Sequence, residues 1–528
     1  MISTTQIEKN AVDALFRMLD SEKKKKIDSH MFLDKLARTG ILADDPRVKD
    51  MLENFEHERL QKNHFISQSR FNDILKQNAL IKKSLSQKLV IPDFELFCKQ
   101  VEEIFNETLE NKTGNVADYI PQLARVNPEQ FAVSICTVDG QRFSLGDSST
   151  NFCLQSSCKP INYCLALEEL GEKKVHTHVG REPSGHSFNE LTLSTQGIPH
   201  NPMINAGAMM SCSLIDRENN IADRFDLVNK TWQALCGGKQ VSFNNSVYLS
   251  ERQTADRNFA LAYFMREKNA FPENTNLEET LEFYFQCCSI ESRTYDLSVA
   301  SATLANAGTN PLTGDVIFSS STVQNCLSLM LSCGMYDFSG EFAFKIGLPA
   351  KSGVSGALML VIPNVMGISI WSPRLDEVGN SVRGVEFCKR LVEKFSFHQY
   401  DSLTGHSTKI NPRRKENELM ASKVMELIRA ASHADLDEIL RLEAEGVNPG
   451  IADYDGRTPL HLAACEGQYE IVSHLLSKNI DLAPIDRWGN TPLDDARKFK
   501  HKEIINLLEQ AIKPQKNGLD KSLALLNN

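Results

Sequence analysis

The chain has 528 residues, of which 41% are hydrophobic and 24% are charged, as suits a globular protein of about three domains with buried cores. The net charge of −10 gives no general attraction for nucleic acid, so we exclude nucleic acid as a partner. The most apolar run, residues 356–371, is too short to span a bilayer and is interrupted by Pro363 and Asn364, so we expect no membrane insertion.

Residues 1–92 are predicted to form an all-α domain, because apolar residues recur there at helical spacing. The first ten residues contain an acid and no arginine, which fits neither a secretion signal nor a mitochondrial transit peptide. A full-length chain of this kind would be cytoplasmic.

Residues 20–32 lie where the calcium loop of an EF-hand would stand, but they contain four consecutive lysines and lack the glycine of such a loop. The domain is therefore predicted to be EF-hand-like without a metal site.

Residues 93–400 are predicted to form the second domain, starting with a helix over about residues 94–110. Residues 131–138 are rich in strand formers, Asp139 and Gly140 give a turn signal, and residues 141–147 can form the second strand, which predicts a β-hairpin.

The 13 cysteines of the whole chain are scattered and never spaced Cys-x-x-Cys. This argues against a disulfide framework and a zinc ribbon, and it favours a reducing compartment.

A Ser-x-x-Lys pair, Ser156 and Lys159, follows the hairpin at the start of a predicted helix. Residues three apart share a helix face, so a lysine kept neutral by burial can take the proton of the serine hydroxyl, as in Ser/Lys acyl-transfer enzymes. Ser157 points about 100° away from that face and is not expected to compete. The same spacing in Ser21 and Lys24 lies in a lysine run and predicts solvated surface.

The rest of the domain predicts an α+β fold. Mostly helical sequence over residues 160–335, with a polar loop at 182–200, is followed by Lys351-Ser-Gly, two strand-like runs and a helix over residues 382–395. This order resembles the serine β-lactamases and penicillin-binding proteins, whose Lys-[Ser/Thr]-Gly strand borders the site opposite the serine. We expect one antiparallel sheet with helices against it and a helical second lobe. No Ser-Asp-Asn element is present, which weakens the case for a β-lactam substrate.

An internal repeat follows a charged linker over residues 401–419. Thr458-Pro-Leu-His-Leu-Ala-Ala and Thr491-Pro-Leu-Asp-Asp-Ala begin 33 residues apart, which is the ankyrin signature. We predict ankyrin repeats over residues 420–512, the first of them degenerate, and a disordered tail over residues 513–528. An ankyrin stack predicts a protein partner, whose identity the sequence does not reveal.

Several longer motifs carry a family resemblance. Residues 95–400 resemble the serine-dependent glutaminases, and the domain order resembles that of the phosphate-activated kidney-type and liver-type enzymes of animals. The motifs are Val116-Ala-Asp-Tyr-Ile-Pro-Gln-Leu-Ala, Cys136-Thr-Val-Asp-Gly-Gln-Arg, His200-Asn-Pro-Met-Ile-Asn-Ala-Gly-Ala, Asp256-Arg-Asn-Phe-Ala, Cys333-Gly-Met-Tyr-Asp-Phe-Ser-Gly and Gly347-Leu-Pro-Ala-Lys-Ser-Gly-Val.

The resemblance implies hydrolysis of L-glutamine to L-glutamate and ammonia without a cofactor, with phosphate as an activator. It also implies a homotetramer that can stack into filaments, and a mitochondrial location. Residues 191–193 read Leu-Thr-Leu where kidney-type enzymes carry Leu-Phe-Leu, so regulation through the 182–200 loop is expected to differ.

The resemblance also implies a role for each site residue. Ser156 is the nucleophile, Lys159 is its base, and Tyr336 reaches the reacting centre. The backbone N–H of Val354 joins that of Ser156 in the oxyanion hole, and Lys351 has a supporting role. Five further residues match the groups that hold the amino-acid end of glutamine, with Glu251 as the partner of the ammonium. They are Tyr119, Asn205, Glu251, Asn258 and Tyr284.

Simpler structural roles exist for several of these residues. Asn205 could cap a helix, Glu251 could pair with Arg252 or Arg257 on a surface helix, and the tyrosines could be core aromatics. Two other functions also remain open at this point. One is a catalytically silent ankyrin scaffold, and the other is a penicillin-recognising serine enzyme.

Overall fold

The computed structural model describes residues 12–13, 15–20, 25–53, 65–403, 408–414, 416–444, 447–478 and 480–512. These residues form two compact units, of which the first ends at Arg413 and the second begins at Arg414. No helix within the described ranges is long and apolar enough to cross a bilayer. The Ser21/Lys24 pair and the predicted disordered tail lie outside the described residues.

Three fully described helices and a short pair of strands belong to the N-terminal part of the first unit, where residues 15–19 and 49–53 are also helical. The helices are α1 (Ser29–Arg38), α2 (Gln68–Gln77) and α3 (Ala79–Leu85), and the antiparallel strands are β1 (Lys26–Asp28) and β2 (Phe65–Ser67). Ile27 and Ile66 face each other in this ladder and are both buried in the core of the domain. The prediction of an all-α domain missed this strand pair, because three residues are too few to show alternation.

A five-stranded antiparallel sheet forms the centre of the first unit, in the order β4-β3-β10-β9-β8. The predicted hairpin and the predicted fold class are thereby confirmed. The strands are β3 (Ala132–Thr137), β4 (Arg142–Gly146), β8 (Ala350–Ser352), β9 (Ala357–Ile362) and β10 (Met366–Trp371); a smaller sheet holds β5 (Phe152–Cys153), β6 (Ser242–Phe243) and β7 (Ile290–Ser292).

Both faces of the sheet are buried at β9, which explains why this strand is a continuous apolar run. Leu358 and Leu360 face a core that contains residues of α4 (Phe94–Leu109) and of the closing helix, Val382–Lys394. Met359 and Val361 face the helical lobe. Lys351 is the cross-strand partner of Met359, so its side chain is directed to the lobe side of the sheet.

The helical lobe and the closing helix complete the first unit. The helices are α5 (Pro121–Ala124), α6 (Lys159–Val175), α7 (Asn205–Leu214), α8 (Ile221–Leu235), α9 (Asn245–Gln253), α10 (Asp256–Glu267), α11 (Leu277–Cys288), α12 (Thr294–Ala305), α13 (Ser320–Cys333), α14 (Ser339–Lys345) and α15 (Val382–Lys394).

The second unit consists of stacked helix pairs, as the 33-residue period predicts. Its helices are α16 (Glu416–Ser432), α17 (Leu436–Ala444), α18 (Pro459–Glu466), α19 (Tyr469–Leu476) and α20 (Pro492–Phe499), followed by a helix over residues 502–512. The Thr-Pro-Leu-His motif has a clear physical role here. His461 Nδ1 accepts a hydrogen bond from the N–H of Thr458, and its Nε2 donates to the carbonyl of Asn490 in the next repeat.

Candidate active site

The nucleophile candidate lies in a single 3-10 turn, Gln155–Cys158, directly before α6. Ser156 is therefore not on the same regular helix as Lys159, although the two remain one turn apart. Gln155 has a φ of 50°. This left-handed backbone conformation is strained for a residue other than glycine, and such strained residues are common at functional sites. The turn is closed by the N–H of Ser157, which donates to the carbonyl of Leu154 at 2.9 Å. Ser156 is 7% exposed, so its side chain is almost completely buried.

Lys159 is fully buried, and its Nζ donates to Asn205 Oδ1 at 2.7 Å. Burial lowers its pKa to about 8, because the charged ammonium has lost its water. Lys351, also fully buried, donates to the carbonyls of Ser352 and Gly334 at 2.7 and 3.2 Å. Its pKa is lowered well below its usual range, first by burial and then by repulsion from Lys159.

The two lysines differ in what lowers their pKa values. Burial lowers the pKa of Lys159, as the sequence predicts, and neighbouring cysteines oppose the shift. Repulsion between the two amines acts on Lys351, where it adds to the effect of burial on the pKa. Lys351 is held between two backbone carbonyls at the end of β8.

Tyr336 opens a second 3-10 turn and also has a left-handed conformation, with a φ of 52°. Its ring lies under the Lys351 amine, at 4.7 Å from Nζ to the ring centroid. Burial raises the pKa of the phenol, and the nearby Ser156 hydroxyl opposes that rise only in part. The hydroxyls of Tyr336 and Ser156 do not form a hydrogen bond. The phenolic oxygen is therefore buried without a hydrogen-bond partner among the described residues.

Glu251 forms the opposite end of the site. Its Oε1 accepts hydrogen bonds from the hydroxyl of Tyr119 at 2.6 Å and from Nε2 of Gln155 at 2.9 Å. Burial raises the pKa of this carboxyl, although both hydrogen bonds favour the charged form. The alternative of a surface pair with Arg252 is wrong, because Arg252 pairs with Glu282 at 3.0 Å.

Asn205, Asn258 and Tyr284 form one hydrogen-bonded group. Asn205 Nδ2 donates to Asn258 Oδ1 at 3.1 Å, and the Tyr284 hydroxyl donates to Asn205 Oδ1 at 3.3 Å. Asn205 is the first residue of α7, but its side chain makes no capping hydrogen bond, so the helix-cap alternative is also wrong. Through the bond from Lys159, this group is continuous with the Ser-x-x-Lys pair.

Val354 follows β8 at the edge of the site, where it packs against a small apolar cluster that contains Ile120 and Val247. The preceding glycine brings this strand end close to the nucleophile turn. A Cβ on Gly353 would lie 2.8 Å from the carbonyl oxygen of Leu154 and 3.0 Å from Ser157 Oγ. The strand end that contains Gly353 therefore lies directly against the nucleophile turn.

The 182–200 loop reaches the site through Phe188. Its ring packs on the ring of Tyr336, with 4.7 Å between centroids, and its carbonyl accepts from the N–H of Asn205 at 3.0 Å. A cavity of about 550 Å³ lies between this loop and the turn at Tyr336. Leu191, in the segment that departs from the kidney-type pattern, is 43% exposed.

The sequence analysis missed two residues of this site, Gln155 and Phe188. Gln155 is marked only by its position next to Ser156, and its partner Glu251 is 96 residues away. Phe188 has no signal in the sequence beyond its place in the loop. Apart from these two, the structure brings the ten predicted site residues together in one region of the first unit.

Comparisons with known proteins agree with this geometry. The family model described as Glutaminase matches residues 114–400, an EF-hand domain model matches residues 11–92, and a model of ankyrin repeats in three copies matches residues 427–517. The chain belongs to the glutaminase family. It is 44% identical over 501 residues to the mitochondrial liver isoform of glutaminase from Mus musculus, a match that covers 94% of this chain and 83% of that protein.

Two further similarities cover the catalytic region of this glutaminase. A glutaminase from Nostoc is 44% identical over 306 residues, which covers 58% of this chain and 90% of the Nostoc protein. The solved structure of Mglu in its glutamate form has a TM-score of 0.54 and 37% identity, covering 57% of this chain and 69% of the other. The predictions of the family, the fold and an enzymatic function are therefore confirmed.

Proposed function

We propose that this glutaminase hydrolyses L-glutamine to L-glutamate and ammonia through an ester on Ser156, with Lys159 as the base. The observation that carries the proposal is a serine one turn from a fully buried lysine whose pKa is about 8. Such a lysine is partly neutral near physiological pH, and a neutral amine can accept the hydroxyl proton.

In the first half of the reaction, the Oγ of Ser156 attacks the side-chain carbonyl carbon of glutamine while its proton moves to Lys159. The carbonyl oxygen becomes an oxyanion, which the backbone N–H groups of Ser156 and Val354 stabilise. The C–N bond then breaks, and the leaving nitrogen takes the proton from Lys159 to depart as ammonia. In the second half, water attacks the ester carbonyl and gives a proton to Lys159. The ester C–O bond then breaks, Lys159 passes the proton to Oγ of Ser156, and glutamate leaves.

The remaining residues recognise the amino-acid end of the substrate. Glu251 is the partner for the substrate ammonium, because a nearby cation favours the ionised carboxylate that burial alone disfavours. The hydrogen-bonded group of Asn205, Asn258 and Tyr284 provides amide and phenol donors for the substrate carboxylate. The likeness to Mglu, solved in a glutamate form, supports an amino-acid site in this fold.

Trapping the ester tests the chemistry directly. A glutamine analogue with an electrophilic group at the side-chain carbonyl position should label the protein once, and peptide mass spectrometry should place the label on Ser156. Ser157→Ala is a matched control, because this neighbour is also buried but has no role in the scheme; it should label normally. A label on any other residue would refute the mechanism.

The proposal extends to regulation, assembly and location. By resemblance to the animal enzymes, phosphate activates this glutaminase, and the active form is a homotetramer that can stack into filaments. The similarity to liver isoforms described as mitochondrial favours a mitochondrial location over a cytoplasmic one. The ankyrin unit then binds a further protein.

Phosphate activation and assembly can be measured together. Ammonia release and oligomer size should both rise with phosphate in the same sample, because ordering of the 182–200 loop can gate the site. A stable monomer with phosphate-independent activity would contradict this. Absence of any glutamine-dependent ammonia release would instead favour the silent scaffold.

A further inference from the structure

The backbone of Tyr336 is held in an unusual conformation. Its φ of 52° lies in the left-handed region, which a bulky aromatic residue rarely occupies. Such a conformation persists only where the surrounding contacts determine it. The phenol that it directs into the site is 8% exposed and belongs to the proposed reaction centre.

A single hydroxyl, that of Ser339, bonds to the backbone on both sides of Tyr336. Ser339 Oγ accepts from the N–H of Met335 at 2.9 Å and donates to the carbonyl of Tyr336 at 2.7 Å. A serine hydroxyl has one proton and can accept as well as donate, so both bonds form at the same time. Ser339 is 6% exposed, and water therefore competes little for either bond.

A second group approaches the same backbone from the other side. Nδ2 of Asn380, which is fully buried, donates to the carbonyl of Met335 at 3.2 Å. Asn380 belongs to the turn before α15, where its own N–H donates to Asp376 Oδ1 at 2.8 Å. Met335, the residue before Tyr336, is thus fixed at its carbonyl by Asn380 and at its N–H by Ser339.

We infer that Ser339, together with Asn380, is a positioning residue that holds the Tyr336 phenol at the reacting centre. Neither side chain is assigned a contact with substrate in the proposed function, on which this inference rests. Both act through the backbone of Tyr336. A phenol displaced by a fraction of an ångström still lines the site, but it no longer meets the reacting atoms, so turnover should suffer more than substrate binding.

The test compares Ser339→Ala with Ser339→Thr and with Ser328→Ala. Ser328 is a matched control, because its hydroxyl also bonds a backbone carbonyl, that of Gln324, on an exposed helix face. In the full-length protein, Ser339→Ala should lower kcat by about tenfold to a hundredfold with KM changed little. Ser339→Thr, which keeps the hydroxyl, should recover most of the kcat, and Ser328→Ala should match the parent.

A double-mutant cycle separates positioning from general destabilisation. If Ser339 acts through the phenol, Ser339→Ala should add almost nothing to the loss already caused by Tyr336→Phe. Losses that multiply, or an unchanged kcat in folded Ser339→Ala, would overturn the inference. If Ser339→Ala does not fold, Asn380→Ala enters the same cycle with the same criteria. A parent protein without glutaminase activity would instead count against the proposed function.

Discussion

The Nζ of Lys159 donates a 2.7 Å hydrogen bond to Oδ1 of Asn205, and this bond joins the proposed base to the group proposed to receive the substrate carboxylate. Asn205 Oδ1 is shared with the hydroxyl of Tyr284 at 3.3 Å. Substrate binding at Asn205 therefore acts directly on the environment of the base. The contact can thus change the protonation state of Lys159, on which the rate depends.

The rate should rise toward alkaline pH. The neutral form of Lys159 is the active base, and burial sets its pKa to about 8. Below that pH the ammonium form accumulates, so log(kcat/KM) should climb with pH and level off above about pH 8. The measurement is a pH–rate profile of ammonia release. Lys159→Arg, which stays protonated, should be inactive throughout, and a flat profile for the parent would contradict a lysine base.

The losses from Ser156→Ala and Lys159→Ala should not multiply. The nucleophile and its base act as one unit, so each single variant should abolish measurable turnover, and the double variant should be little worse than either. Single-turnover assays on folded protein, checked by circular dichroism, provide the comparison. A Lys159→Ala variant that keeps a tenth or more of the parent rate would show that another group takes the proton.

Substrate binding should depend on the carboxylate of Glu251. Glu251→Gln removes the charge that meets the substrate ammonium, so KM should rise by about tenfold to a hundredfold, the usual size of a hydrogen bond to a charged group. Tyr119→Phe should have a smaller effect in the same direction, because it removes the 2.6 Å bond to Glu251. Glu282→Gln, which affects only the surface pair with Arg252, is the control and should leave KM unchanged.

The sequence predicts the sheet and the site in different ways. The strands were visible because Ala357–Ile362 is an apolar run of strand length, and the ankyrin unit because Thr458 and Thr491 repeat. The catalytic roles came from a family resemblance, since the spacing of Ser156 and Lys159 alone also occurs elsewhere in the chain.

Other features of the site depend on tertiary contacts that no local pattern encodes. The bond from Gln155 to Glu251 requires α9 to lie over the nucleophile turn, and the stacking of Phe188 on Tyr336 requires the loop to fold back. The lowered pKa values of Lys159 and Lys351 depend on the burial of both side chains in one region. These are consequences of packing, so the sequence could not supply them.

The ankyrin unit should be dispensable for the chemistry, because all ten proposed site residues lie in the first unit. A chain ending at residue 413 should keep the kcat of the full-length protein. The chain must extend beyond Ile410, since the carbonyl of Ile410 accepts from the N–H of Ser396 at 2.9 Å and stabilises the end of the catalytic region. Near-total loss of activity in a folded and assembled 1–413 chain would contradict this prediction.

The close approach of Gly353 to the nucleophile turn should make this glycine essential for turnover. In Gly353→Ala the new Cβ would lie 2.8 Å from the Leu154 carbonyl oxygen and 3.0 Å from Ser157 Oγ, so the strand end must move away from the turn. That movement separates the two backbone donors proposed for the oxyanion, and losing one such donor typically costs about a hundredfold or more in kcat.

Gly340→Ala is the matched control for this substitution. A Cβ at Gly340 meets no atom within 4 Å, and alanine is favoured over glycine within α14. The control should therefore keep the parent kcat and unfold at the same or a higher temperature. Gly353→Ala should keep KM within a few-fold of the parent, because Glu251 and Asn205 are untouched. If Gly353→Ala turns over as fast as Gly340→Ala, the N–H of Val354 does not stabilise the oxyanion, and the assignment of the second donor is wrong.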